Sequence, residues 1–219
     1  MIARWTAGRS PWPRRFLAAA ARICGADVRL AGDPVGPHSL LVANHLSWLD
    51  ILVLGGATGC AFVSKDTLGN GLLHWLADQN GTLYVKREHR KGARDQAVQI
   101  ARALEGDKPI ALFPEGTTGP GTELLPFRPT LLEAASFAAR DVAIRPVALD
   151  YGNARTEVGW WHEPGMENVL RILGRRGMLP VTVRLLEPLP HADRKTLAAN
   201  VRSAIEAALA ASDSRGAGL

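Results

Sequence analysis

The chain has 219 residues, 47% of them hydrophobic, which is enough for one substantial core and predicts a single domain. Its net charge of +5 fits an anionic partner such as phosphate, acidic lipid headgroups or nucleic acid, and charge alone does not choose among them. Its two cysteines, Cys24 and Cys60, lack CxxC spacing, which excludes a disulfide framework and a zinc ribbon and fits a reducing cytosolic setting.

The N-terminal region contains a basic amphipathic segment over residues 12–24. A helical wheel separates an apolar half from a basic one, formed by Trp12, Phe16, Leu17, Ala20, Ile23 and Cys24 against Arg14, Arg15 and Arg22. A surface helix packed on the core and a membrane-associating helix both fit this pattern, and Trp5 between Arg4 and Arg9 favours the membrane. We expect neither a signal peptide nor a transmembrane helix, because the apolar runs are short and mostly alanine or interrupted by polar residues.

From residue 28 onward, β-rich runs alternate with helical patterns. The predicted strands are Leu40–Ala43, Ala61–Ser64, Thr82–Val85, Pro109–Phe113, Ile144–Tyr151 and Val181–Leu186. Helices are predicted between the third and fourth strands, ending before Gly106, over Leu131–Ala139 behind a Thr130–Glu133 capping box, and around Leu197–Ala208. This alternation predicts a single α/β domain whose mainly parallel or mixed sheet is flanked by helices, with the tail from residue 212 frayed.

The polar run Asn44-His45-Leu46-Ser47-Trp48-Leu49-Asp50 follows the first predicted strand. In one continuous helix His45 and Asp50 would lie about 140° apart and could not meet. If His45 instead precedes the helix, with Ser47 as N-cap and Asp50 in the first turn, the carboxylate can reach back to the imidazole and orient it as a general base. The alternative is structural, because Ser47-x-x-Asp50 is also a capping box and His45 could satisfy a buried backbone group.

A second polar run, Phe113-Pro114-Glu115-Gly116-Thr117-Thr118, follows the strand ending at Phe113, and in α/β sheets ligands bind at such strand ends. Gly116 permits close approach of the backbone, Thr117 offers a hydroxyl, and we expect Glu115 to accept from a substrate hydroxyl or to position an arginine. Lys65 and Arg87 follow two other strands and are candidates for phosphate binding, although solvated surface charges and a simple tight turn are the alternatives. Together these residues predict acyl transfer to a phosphate-bearing alcohol.

Four ordered segments resemble the motif blocks of the glycerolipid acyltransferases, most closely the bacterial 1-acylglycerol-3-phosphate acyltransferases. They are Asn44-His45-x4-Asp50, the stretch ending at Arg87, Phe-Pro-Glu-Gly-Thr at 113–117, and Ile144-Arg145-Pro146-Val147-Ala148-Leu149, and the resemblance spans about residues 28–190. It implies His45 as base with Asp50 as its partner, and an acceptor site shaped by Arg87, Glu115, Gly116 and Thr117.

The chain departs from the commonest pattern near the acceptor site. Lys86 stands where an acidic residue is frequent, Thr118 where arginine or serine is frequent, and Arg128-Pro129 replaces a lysine, a variable residue and glycine. We therefore expect a lysophospholipid acceptor, first 1-acylglycerol-3-phosphate, with a lyso-lipid such as lyso-ornithine lipid as the alternative. Many relatives also have a longer hydrophobic N-terminus, so either the amphipathic helix anchors this chain alone or the natural start lies upstream.

The resemblance implies a reaction without a cofactor or a metal, in which acyl-CoA or acyl carrier protein is the thioester co-substrate. We expect an N-terminal amphipathic segment at 1–27 that is suited to membrane association, an acyltransferase domain at 28–211 and a frayed tail at 212–219. The expected location is peripheral, on the cytoplasmic face of the inner membrane, without nucleic acid as partner.

Other classes fit the sequence less well. A hydrolase would need a G-x-S-x-G elbow, which is absent, and a metal site at His45, Asp50 and Glu115 would lack HExxH spacing. A non-catalytic binder of anionic lipid fits the charge, whereas the aromatic content of 6% is low for a nucleic-acid stacking surface.

Overall fold

The computed structural model describes residues 11–65, 82–85, 89–139 and 141–216. The strands are β1 (Ala26–Ala31), β2 (Ser39–Ala43), β3 (Ala61–Lys65), β4 (Leu83–Val85), β5 (Ile110–Leu112), β6 (Ala143–Asp150) and β7 (Leu179–Leu185). The α-helices are α1 (Trp12–Ile23), α2 (Leu49–Thr58), α3 (His89–Ala103), α4 (Glu133–Phe137), α5 (Arg155–Val158), α6 (Gly165–Leu173) and α7 (Arg194–Gly216). Two 3₁₀ turns, Pro129–Leu132 and Gly152–Ala154, precede α4 and α5.

The strands described form one mixed sheet in the order β1-β7-β6-β2-β5-β3-β4. Each neighbouring pair is parallel except β6 and β7, which are antiparallel. Strand β2 lies between β6 and β5, and all of its residues are buried, as expected for a strand covered on both faces. The predicted α/β class and mixed sheet are confirmed.

Helices cover both faces of the sheet, and the alternation of side chains along β2 divides the core into two layers. Leu41 and Ala43 point into the layer formed with α1, α2, α5 and α6, whereas Leu40 and Val42 point into the layer formed with α3, α4 and α7. The first layer lies beneath the turn that joins β2 to α2.

Helix α1 packs closely on α2 because two consecutive glycines face it. A Cβ atom at Gly56 would lie 2.7 Å from the backbone of Ala18, and one at Gly55 would lie 2.6 Å from the Leu17 side chain. Arg14 also donates from Nη2 to the carbonyl of Ala57 at 2.7 Å, near the end of α2, where a cation is favourable. Helix α1 is therefore part of the folded core along one side, while Trp12, Phe16 and Ile23 are exposed on the other.

Several local predictions differ from the structure. The capping box at Thr130 is wrong, because Thr130 lies inside a 3₁₀ turn and α4 begins at Glu133 without a side-chain cap. Helix α7 continues to Gly216, beyond the predicted start of fraying at 212, and the Ser212 hydroxyl donates to Asp150 Oδ2 at 2.6 Å. Strand β1 and helices α5 and α6 were not predicted, because these segments are short or mix polar with apolar residues.

Candidate active site

The candidate site is built on the turn of residues 44–48, between the carboxyl end of β2 and the start of α2. Asn44 fixes this turn to the neighbouring strand β6. Its side-chain amide donates to the carbonyl of Leu149 at 3.1 Å, and its oxygen accepts from the Leu149 amide at 2.8 Å. An amide side chain suits this position because it carries both a donor and an acceptor.

The imidazole of His45 contacts the carboxylate of Asp50, with 2.8 Å between Nδ1 and Oδ2. A carboxylate can only accept here, so Nδ1 carries a proton, and in the neutral imidazole Nε2 then keeps its lone pair. Asp50 is fully buried in the first turn of α2, where the helix dipole favours a negative charge. The predicted geometry, with the histidine before the helix and the carboxylate reaching back, is present.

Asp50 also performs the capping function that was the alternative interpretation. Its Oδ2 accepts from the backbone amides of Leu46 at 2.6 Å and Ser47 at 2.9 Å. The Ser47 hydroxyl accepts from the Leu49 amide at 3.2 Å, while the residue directly before α2 is Trp48. The carboxylate therefore shapes the turn and orients the histidine at the same time.

Tyr151 supplies a further contact to Asp50 that the sequence analysis did not identify. The buried phenol donates to Asp50 Oδ1 at 2.6 Å. Burial first, and then the neighbouring Asp50 carboxylate, raises the pKa of Tyr151 well above its usual value, so the hydroxyl remains a donor. Tyr151 directly follows β6, the neighbour of β2, and this placement is the signal that could have identified it.

The histidine ring is also held on one face by aromatic stacking. The ring centroids of His45 and Phe113 are 4.0 Å apart and their planes differ by 13°. Phe62 in turn stacks on Phe113 at 6.0 Å. The His45 side chain retains 16% exposure, so the imidazole is oriented on Nδ1 and on one face yet still reaches the surface.

Glu115, which lies in the second motif, holds the backbone of His45 in place. Its Oε1 accepts from the His45 amide at 2.8 Å and its Oε2 from the Leu125 amide at 3.0 Å, and the residue is only 3% exposed. Burial raises the pKa of Glu115 to about 7, although both amide hydrogen bonds lower it. In the structure Glu115 therefore positions the backbone, while its contact with a substrate hydroxyl or an arginine stays a prediction.

The glycine of the second motif adopts a conformation that side chains rarely take, with φ at +71° at Gly116. A Cβ atom there would lie 3.3 Å from Cδ, Nε and Cζ of Arg128. Thr117 beside it is exposed, as is Arg128. Arg128 departs from the motif and was not predicted as a site residue, but the structure brings its guanidinium to Gly116.

The structure describes the other two predicted basic residues, Lys65 and Arg87, only in part. Lys65 is the last residue of β3, which is separated from β2 by β5. Arg87 lies outside the described residues. Two backbone amides near His45 already have acceptors within the protein: that of Ser47 donates to Asp50, and that of Gly116 donates to the Phe113 carbonyl at 3.1 Å.

A family model described as Acyltransferase matches residues 28–150, which is more than half of the chain. The chain belongs to the acyltransferase family. This acyltransferase is 32% identical over 219 residues to a lyso-ornithine lipid O-acyltransferase of Rhodobacter capsulatus, covering 92% of the chain and 78% of that protein. It is also 32% identical over 120 residues to a 1-acyl-sn-glycerol-3-phosphate acyltransferase of Neisseria gonorrhoeae, covering 54% of the chain and 46% of that protein.

A solved structure shows a similar fold. It is the 1-acyl-sn-glycerophosphate acyltransferase PlsC from Thermotoga maritima, with a TM-score of 0.66, 23% identity and coverage of 90% of this acyltransferase and 77% of the solved chain. The predicted family and enzyme class are confirmed. Among the described residues, no helix has both the length and the apolar character needed to cross a membrane.

Proposed function

We propose that this acyltransferase moves a fatty acyl group from a thioester to the free hydroxyl of a lyso-lipid, with His45 as general base. The observation that carries the proposal is the contact between His45 Nδ1 and Asp50 at 2.8 Å, on an imidazole that still reaches the surface. Asp50 receives four hydrogen bonds in all, so its position is fixed before any substrate binds. A base held in this way begins the reaction without reorganisation.

In the proposed step, the lipid hydroxyl oxygen attacks the thioester carbonyl carbon while Nε2 of His45 takes its proton. The tetrahedral intermediate then collapses, the carbon–sulfur bond breaks, and the thiolate accepts the proton back from the imidazolium. A thiol has a reference pKa of about 8.5, so the thiolate leaves with little acid assistance. Asp50 stabilises the transient imidazolium, and general-base assistance of this kind contributes ~10²–10⁴ in rate.

Residues around His45 are proposed to bind the acceptor. Gly116 and Thr117 lie beside the exposed guanidinium of Arg128, which can form paired hydrogen bonds with a headgroup carboxylate or phosphate. Arg87 and Lys65 remain predicted acceptor contacts. We expect no cofactor, since the thioester of acyl-CoA or acyl carrier protein supplies the activated acyl group.

Lyso-ornithine lipid is the first acceptor we propose, because the relative with this name aligns along most of both chains, with 92% of this chain covered. The second candidate is 1-acylglycerol-3-phosphate, which the four motif blocks favour and which is named for a relative aligned over 54% of the chain. The two acceptors offer a carboxylate and a phosphate respectively to the same basic residues.

The test is to offer the purified protein both lyso-lipids, each with labelled acyl-CoA and labelled acyl carrier protein. We expect acylated lipid from at least one pair, and none from His45→Ala. Release of free fatty acid without acylated lipid would instead indicate a hydrolase. Binding to anionic vesicles without any turnover would indicate a non-catalytic lipid-binding protein.

We also propose a peripheral location on the cytoplasmic face of the inner membrane. The support is the exposed apolar side of α1, formed by Trp12, Phe16 and Ile23, beside the exposed arginines Arg15 and Arg22. Residues 1–27 would then serve as the membrane-associating segment and residues 28–211 as the catalytic domain.

A further inference from the structure

Helix α6 has an apolar surface that points away from the protein core. Met166, Leu170 and Leu173 are 67%, 62% and 50% exposed. Viewed down the helix axis, with about 100° between successive residues, these three side chains span an arc of about 60°. The centre of this arc lies roughly 150° around the helix from the buried pair Asn168 and Ile172. We call the surface formed by these three residues the α6 arc. A surface helix ordinarily presents polar residues on the side facing away from the core, so the exposed apolar α6 arc indicates an apolar partner.

Helix α6 is fixed rigidly to the candidate active site. Asn168 is fully buried and accepts a hydrogen bond from the Trp48 indole at 3.1 Å, directly beside the catalytic turn. Its amide also donates to Gly159 at 3.2 Å and to Glu163 at 2.9 Å. The amide of Trp160, in the segment leading to α6, donates to the Leu46 carbonyl at 2.9 Å. Because these contacts hold α6 and the catalytic turn together, any surface that binds the α6 arc also fixes the position of the catalytic turn against that surface.

The α6 arc lies on the same face of the sheet as α1, with its exposed apolar side chains. The segment after α6 reaches the end of α1, where the Leu179 amide donates to the Gly25 carbonyl at 2.7 Å. Next to this contact, Ile23 is 85% exposed and Met178 is 47% exposed. Exposed apolar residues of α1 and of the segment between α6 and β7 therefore lie close to this contact.

Exposed basic and tryptophan side chains on α1 and on the segments flanking α6 favour a lipid bilayer as the partner. Arg22 and Arg176 are exposed near the junction, where they can meet anionic headgroups. Trp12 and Trp161 are also exposed, and tryptophan is favourable at the boundary between headgroups and hydrocarbon. Glu167 and Arg171 lie at one side of α6 rather than within the arc.

We propose that the α6 arc inserts into the surface of an anionic bilayer and, together with α1, presents the catalytic turn to lipid. This inference rests on the proposed function, because it assumes that the acceptor resides in that bilayer. Direct binding to vesicles tests the surface independently of turnover.

The experiment compares the full chain with the double variant Met166→Gln/Leu170→Gln in sedimentation with vesicles of phosphatidylcholine and phosphatidylglycerol. We expect the double variant to partition at least about tenfold more weakly, which corresponds to about 1.4 kcal/mol. Phe137→Gln is the matched control, since Phe137 is 39% exposed on α4, on the opposite face of the sheet, and should retain wild-type partitioning. Leu173→Gln serves as a second variant on the same arc if the double variant does not fold.

Activity provides a separate readout. We expect the double variant to acylate a short-chain, water-soluble lyso-lipid at the wild-type rate and a vesicle-embedded one more slowly. Failure of the wild-type protein to acylate any lyso-lipid would refute the proposed function but not the vesicle binding. Unchanged partitioning of the α6 variants would overturn the inference. So would a wild-type dimer in vesicle-free buffer that the double variant converts to monomer, since the arc would then be covered by a second copy of the chain.

Discussion

Replacing Asp50 by asparagine separates the charge of the carboxylate from its shape. The carboxylate accepts from the imidazole of His45, from the amides of Leu46 and Ser47 and from the phenol of Tyr151, at 2.6–2.9 Å. In Asp50→Asn the side-chain oxygen can still face the first three donors. The new amide can face Tyr151, whose hydroxyl can rotate to accept. The three donors on the oxygen then keep an acceptor and the phenol keeps a partner, so the main loss is the negative charge.

The expected loss of unfolding free energy in each Asp50 variant follows from these four hydrogen bonds. Hydrogen bonds to a charged acceptor contribute about 1 kcal/mol more than neutral ones, so weakening four of them sets an upper limit of about 4 kcal/mol on the loss of stability. Asp50→Ala would instead leave the Leu46 and Ser47 amides and the Tyr151 phenol buried without an acceptor. At about 1–3 kcal/mol for each group, this cost is a large part of the 5–15 kcal/mol that stabilises a typical domain.

The assay measures kcat and urea unfolding for both variants. We expect Asp50→Asn to fold and to lose ~10²–10⁴ in kcat, because the transient imidazolium no longer has an anionic partner. Asp50→Ala should lose both stability and activity. Wild-type turnover in folded Asp50→Asn would refute the assignment of Asp50 as the partner of the base and leave it a capping role alone.

Three further predictions concern the neighbours of Asp50. His45→Ala should abolish acyl transfer while far-UV circular dichroism stays that of the wild type; acylation at the normal rate would contradict the mechanism. Tyr151→Phe removes one charge-assisted hydrogen bond and should cost about 1.5–3 kcal/mol in urea unfolding, with a smaller loss of kcat than Asp50→Asn; unchanged stability would show that the contact contributes nothing. The pKa of Glu115 is raised from 4.5 to about 7 in the folded protein, which favours its protonated form, so this residue's stabilisation is complete below about pH 4.5 and is lost as the pH rises through about 7. The unfolding free energy of the wild type should therefore fall across this interval relative to Glu115→Gln, whereas parallel pH profiles would contradict the raised pKa.

Much of the fold was predictable because its determinants are local. The six predicted strands all occur, since each is a short apolar run bounded by polar or turn residues. The contact between His45 and Asp50 was also predictable, because the residues are five apart and a turn followed by a helix leaves few arrangements. The departures are local as well: at Thr130 a 3₁₀ turn replaced the expected cap, since Pro129 starts that turn one residue earlier.

The sequence by itself determined the α/β class, the order of most elements and the pair formed by the base and its carboxylate. The tertiary structure alone decided the contacts between residues distant along the chain. Tyr151 reaches Asp50, 101 residues away, because β6 pairs with β2, and Arg128 reaches Gly116 because its backbone amide donates to the Pro114 carbonyl. Likewise Asn168 joins α6 to Trp48 across 120 residues. Hydrophobic periodicity and turn residues specify elements within a few residues, whereas which strands pair and which helices share a face depends on burying the whole apolar surface at once.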